Sequence, residues 1–283
     1  MRANVSEYDL IAPATLDAAL AALSDGRYTP IAGGTELMVA LAAGRLPHKP
    51  LLSINHLKEL RFLDITSDSI TIGSGTTFTD LRRNSVIASD FTLLSQAASW
   101  TGSIANQNRG TLGGNVINAS PAADSLPALL VYDAVLTLIS ASGTRTIPYR
   151  DFHLGYKKTA IRPDELLHSI TMRRDFSGYV PYSRKVGTRN AQAISKVAIA
   201  ALSRVSNGLI EDIRIGAASM RDAPIRLTAT EAALRGKSIS DSTIAEARAA
   251  LLSETRPIDD IRSTGKYRSA VAANLLEEFL RLL

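Results

Sequence analysis

The sequence contains no cysteine. That excludes disulfides, thiolate zinc sites, a cysteine nucleophile and any iron–sulfur cluster held by the chain's own thiolates. It fits a reducing compartment, and we expect a cytoplasmic protein. Aromatic residues make up only 5%, with a single tryptophan, so the core has to be built from Ala, Leu, Ile and Val. No stretch approaches the roughly 18 uninterrupted apolar residues of a membrane helix. The opening MRANVSEYDL has no apolar core of the kind that marks a secretory signal. No membrane insertion is therefore expected. Lys and Arg outnumber Asp and Glu, 32 to 27, but they are scattered without a basic run, so the usual footprint of nucleic-acid binding is missing. His48, His56, His153 and His168 show no metal-ligand spacing, and we expect no metal site. Ser95, Ser99 and Ser103 lack a His and Asp placed to activate them, which argues against hydrolase chemistry.

The 283 residues are enough for about two domains at roughly 150 residues each. Leu16, Ala19, Leu20 and Leu23 recur at helical spacing behind Pro13 and Thr15, and Asp25-Gly26 ends that helix. Residues 28–32 read as a strand running into Gly33-Gly34, and 37–43 as a short helix stopped by Gly44 and Pro47. Residues 69–73 alternate with period two, and 134–140 form a further apolar strand turned at Ser142-Gly143-Thr144. A helical stretch begins at 79–83 and resumes at 93–98, and 101–114 is a long polar passage with glycines. The pattern breaks at Phe176-Ser177-Gly178. Beyond it, strands at 196–205 and 209–217 meet at Ser206-Asn207-Gly208, a hairpin signal. Ala- and Leu-rich helices follow near 227–234, 244–252 and 270–283, which together make an α+β module.

Two segments use glycine for a physical reason. In Pro30-Ile31-Ala32-Gly33-Gly34-Thr35-Glu36-Leu37 a strand passes through paired glycines into a helix. Glycine permits positive φ and close approach of backbone to a ligand, and successive free amides at such a turn form an anion nest. In Arg109-Gly110-Thr111-Leu112-Gly113-Gly114-Asn115 the pair recurs, followed by Asn118-Ala119-Ser120-Pro121-Ala122-Ala123-Asp124. We read both as cradles of unencumbered amides for a diphosphate. Singly, either is equally well a plain turn. Neither has the spacing of the Rossmann or P-loop fingerprint.

These segments resemble the two FAD-binding loops in the medium subunit of molybdenum hydroxylases, the family that includes the FAD subunits of xanthine dehydrogenase and carbon monoxide dehydrogenase. The resemblance rests on Ala32-Gly33-Gly34-Thr35 and Thr111-Leu112-Gly113-Gly114-Asn115, together with Ser53-Ile54-Asn55 and Leu60, Ile72-Gly73-Ser74-Gly75-Thr76-Thr77, Ala119-Ser120-Pro121-Ala122-Ala123-Asp124 and YSRKVGTRNAQAISK from Tyr182 to Lys196. It spans essentially the whole chain. It implies an α+β protein in which residues 1–176 form an FAD-binding domain of the vanillyl-alcohol-oxidase type, in subdomains of about 1–55 and 56–176. Residues 177–283 would form a small C-terminal domain of antiparallel sheet plus helices.

The resemblance also implies roles. Thr29, Pro30, Ile31, Ala32, Gly33, Gly34, Thr35 and Glu36 would wrap the FAD diphosphate, and Thr111, Leu112, Gly113, Gly114 and Asn115 would contact the diphosphate and ribityl chain. Thr101 is counted with the binding residues. Asp124 would accept from a cofactor hydroxyl with Asn118 beside it, although the residues alone allow Asp124 as a helix N-cap. Lys185 would reach the flavin, its alternative being a solvated lysine. Leu167 would touch the adenine or ring system, its alternative being core packing. No catalytic acid, base or nucleophile is expected; Arg109 and Lys185 would stabilise the reduced, anionic flavin. In such a family, substrate is oxidised at a molybdopterin cofactor on a large subunit. Electrons cross [2Fe–2S] clusters on a small subunit and reach FAD, which passes them to NAD or another acceptor. The implied assembly is a dimer of heterotrimers.

The sequence departs from the family twice. The Ile-Arg-Asn-Arg common ahead of the second loop is Asn106-Gln107-Asn108-Arg109 here, and Asn190-Ala191-Gln192-Ala193 lacks the aromatic that covers the flavin in the carbon monoxide branch. The second departure points away from carbon monoxide and toward xanthine-dehydrogenase-like or other N-heterocycle and aldehyde dehydrogenases. Two other readings are a standalone flavin-dependent oxidoreductase, which needs a substrate pocket over the ring, and a nucleotide-sensing module without redox function.

Overall fold

The structure is a computed structural model that describes residues 4–190 and 192–283; Met1 to Ala3, in the opening read for a signal, and Ala191 lie outside the described residues. The first helix is Leu16–Leu23, with the Thr15 hydroxyl accepting from the Ala18 amide at 3.2 Å. It covers a three-stranded parallel sheet in which Leu51–Ser53 lies between Leu10–Ile11 and Thr29–Ile31. Leu20, Leu23, Leu52 and Leu57 pack there together with Ile139 and Leu166 of the next sheet, so this unit shares its core with its neighbour.

The second sheet is antiparallel and five-stranded, in the order Leu63–Ile65, Ser69–Gly73, Leu166–Arg173, Val135–Ser140, Gly143–Pro148. Ile70 and Ile72 point into the core as period-two alternation requires. The helical stretch expected from 79 is three helices, Phe78–Arg83, Ser85–Asp90 and Thr92–Trp100. Asn84 ends the first and caps the second, its Oδ1 accepting from the Ile87 amide at 3.0 Å. The passage 101–114 is not irregular throughout: it holds helix Ile104–Arg109 and the start of helix Leu112–Asn118. Their polar and glycine content hides them from periodicity, and each is nucleated by a side-chain cap, Ser103 and Thr111.

The third sheet is antiparallel, Val180–Val186, Val197–Ser206, Leu209–Ala218, Ile225–Arg226. Its hairpin turn puts Asn207 at φ 51° and Gly208 at φ 75°, the type I′ signature that matches strand twist. Helices Thr228–Leu234, Asp241–Glu254 and Gly265–Leu280 follow. Ile199, Ile213, Ile215, Leu276 and Phe279 form a core with them, while Ala200 and Leu202 join the core of the second sheet. Val197–Ser206 is therefore buried on both faces along most of its length.

The pattern break near Phe176 does not loosen the chain. A Cβ on Gly216 would stand 2.5 Å from the Pro127 carbonyl oxygen, so the third sheet lies directly on helix Leu126–Val131. Arg226 donates to the Leu130 carbonyl at 2.9 Å and Arg214 to that of Val131 at 3.3 Å. Two guanidinium groups thus supply further donors and positive charge at the last carbonyls of the helix, where its dipole favours a cation. Arg214 also sits over the Phe176 ring at 4.9 Å, a cation–π contact. Gly216→Ala should lower the unfolding free energy by about 1–3 kcal/mol through overpacking at this seam, measured by urea denaturation, whereas Gly178→Ala, which meets no neighbouring atom but has φ 80°, should cost about 1 kcal/mol through backbone strain alone.

Candidate functional site

The strand Thr29–Ile31 delivers Ala32 and Gly33 to the edge of the first sheet, and Gly34, at φ 75°, reverses the chain into helix Leu37–Ala42. Among the described residues, the amides of Gly33, Gly34, Thr35 and Glu36 donate to no protein oxygen. Gly33 and Gly34 are half-buried and Thr35 and Glu36 exposed, so the run leaves four backbone donors open to solvent or a ligand at the segment expected to hold a diphosphate. Gly33 has a second function. A Cβ there would stand 1.7 Å from the carbonyl oxygen of Arg109 and 3.0 Å from the Gly110 nitrogen. The first loop therefore rests on the backbone that opens the second.

The second segment departs from expectation. Thr111 is the N-cap of helix Leu112–Asn118, and its hydroxyl accepts from Gly114 N at 3.0 Å. Leu112 N donates to Thr76 O at 3.0 Å, Gly113 N to Ser74 O at 2.9 Å, and Asn115 N to Thr111 O at 3.0 Å. These amides are all paired, so this segment is not a second anion nest. Its glycines answer to packing instead: a Cβ on Gly113 would lie 2.4 Å from the Ser74 Cβ, while Gly114 is exposed with only the Thr111 hydroxyl near it. Ser74, Gly75 and Thr76, part of the resemblance but not singled out as site residues, are thus the bed on which the second segment lies. The Ser74 amide in turn donates to His168 O at 2.8 Å. Leu167, next to His168, is 4% exposed inside the main core, which favours the packing alternative for its side chain.

Asp124 is not the N-cap. Ser125 occupies that position without a side-chain capping bond, and its hydroxyl donates to Asn115 Oδ1 at 2.7 Å. The Asp124 carboxylate faces the other half of the chain: Oδ2 accepts from Lys185 Nζ at 2.5 Å and Oδ1 from the Ser195 hydroxyl. Lys185 also donates to Trp100 O at 3.1 Å. The two charged side chains are only 8% and 11% exposed, which rules out a solvated lysine. Burial pushes the Asp124 carboxyl up, opposed by the Lys185 ammonium and the Ser195 hydroxyl. Ser195 lies inside the 182–196 segment of the resemblance but is not singled out there, because a lone serine in a polar loop carries no periodic signal. It is held in turn by Ser219, whose hydroxyl donates to the Ser195 carbonyl at 2.9 Å and whose amide donates to Pro121 O at 2.7 Å.

Thr101 follows Trp100 and donates to Ala97 O at 2.9 Å, which closes helix Thr92–Trp100. Asn118 ends its helix beside Ala119, at φ 48°, and is half-buried. Arg109 Nε is 3.4 Å from Gly33 O, so its guanidinium ties the two glycine segments together. Leu167 lies in the core, while Gly33, Arg109, Thr111, Asn115, Asp124 and Lys185 form one line of contact, joined by Ser125 and Trp100. It runs from the free amides of 33–36 across Gly33 and Arg109 to the Thr111 helix, through Asn115 and Ser125 to Asp124, and on to Lys185 and Trp100. A row of donors at one end and a buried ammonium at the other, which among the described residues has two protein acceptors for its three protons, fit a dinucleotide with anionic and carbonyl groups.

Residues 6–172 match the family described as FAD binding domain in molybdopterin dehydrogenase, and residues 182–283 match the CO dehydrogenase flavoprotein C-terminal domain. The chain belongs to this family. It is an FAD-binding subunit of the molybdenum hydroxylases. The flavoprotein is 29% identical over 266 residues to a glyceraldehyde dehydrogenase medium chain of Sulfolobus acidocaldarius, covering 94% of each. It is 30% identical over 260 residues to a xanthine dehydrogenase FAD-binding subunit of Escherichia coli O157:H7, covering 90% of this chain and 88% of that one. Its fold superposes on a chain of carbon monoxide dehydrogenase from Hydrogenophaga pseudoflava with a TM-score of 0.92, at 25% identity, covering 96% of this chain and 95% of that one. Among the described residues there is no group of three or more His, Asp or Glu suited to a metal ion, and no helix is long and apolar enough to cross a membrane.

The packing makes the glycines of the flavoprotein unequal. Gly33→Ala and Gly113→Ala should each weaken FAD binding at least tenfold, about 1.4 kcal/mol, because each side chain forces two backbones apart. Gly114→Ala should stay within about twofold, since it meets only a rotatable hydroxyl. Titration followed by emission from Trp100, the one tryptophan of the flavoprotein, checks all three.

Proposed function

We propose that this flavoprotein is the electron-exit subunit of a molybdenum-dependent dehydrogenase of xanthine-dehydrogenase-like or other N-heterocycle or aldehyde type. What carries the proposal is the unbroken line of contact from the free amides of 33–36 to the buried Lys185. Residues 29–36 would hold the diphosphate, 111–115 would pack against the diphosphate and ribityl chain, Asp124 and Asn118 would meet a cofactor hydroxyl, and Thr101 and Lys185 would complete the site, with Leu167 in the core behind it. Residues 1–176 are the FAD-binding domain, in two subdomains of about 1–55 and 56–176, and 177–283 are the C-terminal domain that closes over it. FAD bound here supplies the redox chemistry, accepting electrons from the [2Fe–2S] subunit and releasing them to NAD or another acceptor. The protein's own part is binding, orientation and charge. Its partners are a small [2Fe–2S] subunit and a large molybdopterin subunit, in a cytoplasmic dimer of heterotrimers. The family relatives named as dehydrogenase medium or FAD-binding chains support this assignment.

The test combines uptake with assembly. The purified flavoprotein should take up about one FAD, and a tagged copy expressed from its native locus should bring down an iron–sulfur and a molybdenum protein. Absence of flavin uptake by folded protein overturns the proposal. Steady-state substrate turnover by the isolated chain would favour a standalone oxidoreductase. Lys185→Ala leaves Asp124 buried without its cation, so the unfolding free energy should fall by about 3 kcal/mol. In the same variant the flavin should become harder to reduce, because a positive charge that favours the anionic reduced form is gone; an unchanged midpoint potential would remove Lys185 from that role.

A further inference from the structure

A small hairpin, His153–Gly155 paired with Lys158–Thr159, touches both sides of the site. At its root, His153 Nε2 lies 3.0 Å from the carbonyl of Val116, on the helix that the second glycine segment opens. At its tip, Lys157 is held at φ 51° and donates its ammonium to Glu36 Oε1 at 3.2 Å. Glu36 is the last residue of the run whose amides lack acceptors. Between root and tip, Gly155 faces the Asp222 carboxylate. The hairpin is thus a strap from the second segment to the first, and its contact at the far end is an ion pair.

That ion pair resolves an electrostatic conflict. A loop that receives a diphosphate would carry the Glu36 carboxylate at its end, and a like charge beside the diphosphate would weaken binding even through water. Glu36 and Lys157 are each about half exposed, at 51% and 45%, so the pair adds little to the fold by itself. Its consequence lies in the charge of the loop. Building on the FAD assignment above, we propose that Lys157 is a positioning residue for the dinucleotide: it neutralises Glu36, so that the amides of 33–36 present net positive potential to the diphosphate.

The test is a double-mutant cycle on the intact chain, with the FAD dissociation constant measured at low and at high salt. Lys157→Ala should weaken binding about fivefold at low salt and less at high salt, because exposed charges are screened. Glu36→Gln should bind as tightly as the wild type or more tightly. In the Glu36→Gln background, Lys157→Ala should change binding by less than about twofold, since the charge to be neutralised is gone. Lys157→Arg should retain the wild-type affinity, and Lys158→Ala, on the next residue of the strap, serves as the control for general charge. An equal loss from Lys157→Ala in both backgrounds, or no loss in either, overturns the proposal. Failure of the wild type to take up FAD would instead overturn the functional assignment on which it rests.

Discussion

Asp124 and Lys185 come from halves of the chain that fold around different sheets, and each is about nine-tenths removed from water. Taking two charges out of water costs several kcal/mol per ion before any attraction is counted. The pair persists because both carboxylate oxygens have a donor, Lys185 on one and Ser195 on the other, and because the ammonium has a second acceptor in Trp100 O. A well-packed apolar pair would serve stability as well or better. What the ionic pair adds is register: it fixes where the strand Val180–Val186 sits relative to the segment 119–125, and thereby where an ammonium stands at the end of the cradle. The seam around it is built to the same tolerance, with Gly216 against the Pro127 carbonyl and Arg214 and Arg226 on the last carbonyls of helix Leu126–Val131.

Glycine has two distinct causes in this site, and they explain why the two similar-looking segments behave differently. Gly34 is needed for a backbone conformation. Gly33 and Gly113 are needed because another backbone occupies the place of their side chains, the Arg109 carbonyl in one case and the Ser74 residue in the other. Gly114 is needed by neither and faces outward at the start of a helix, which leaves the approach to that turn unobstructed. Unpaired backbone amides belong to the first segment alone, whereas the second converts its amides into the bonds that hold Thr111 and Gly113 on the 74–76 bed. The cradle is asymmetric: one wall donates hydrogen bonds and the other supplies shape.

Much of this was legible in the residues. The first helix, the strand Ser69–Gly73 and the Asn207-Gly208 hairpin follow local rules of capping, alternation and turn chemistry, and they fold where those rules put them. Helices Ile104–Arg109 and Leu112–Asn118 did not show, because their stability comes from caps and from contact with helix Phe78–Arg83 in the first case and with 74–76 in the second, rather than from an apolar stripe. The glycine segments and Asp124 stood out, yet the residues could not tell a nest from a packed helix start, nor an N-cap from one half of a buried ion pair. Those distinctions depend on which partner arrives from far along the chain: Ser74 and Thr76 for the second segment, and Lys185 and Ser195, 61 and 71 positions away, for Asp124. Short-range pattern identifies a segment that has a special demand; long-range packing decides what the demand is.

A site made this way exists only when both halves are docked. The first half supplies the free amides and Asp124, the second supplies Lys185 and Ser195, and Ala200 and Leu202 of the second half complete the core beneath the first. Neither half presents the whole line of contact, so rigidity at the seam and affinity for a dinucleotide are parts of the same free energy. Binding that uses Lys185 must favour the docked arrangement, and docking that buries Asp124 must favour a bound cation there. The same logic accounts for a chain that lacks thiolates: its residues hold two sheets, two glycine segments and one ammonium in fixed relation, and leave electron chemistry to a group that such an arrangement can grip.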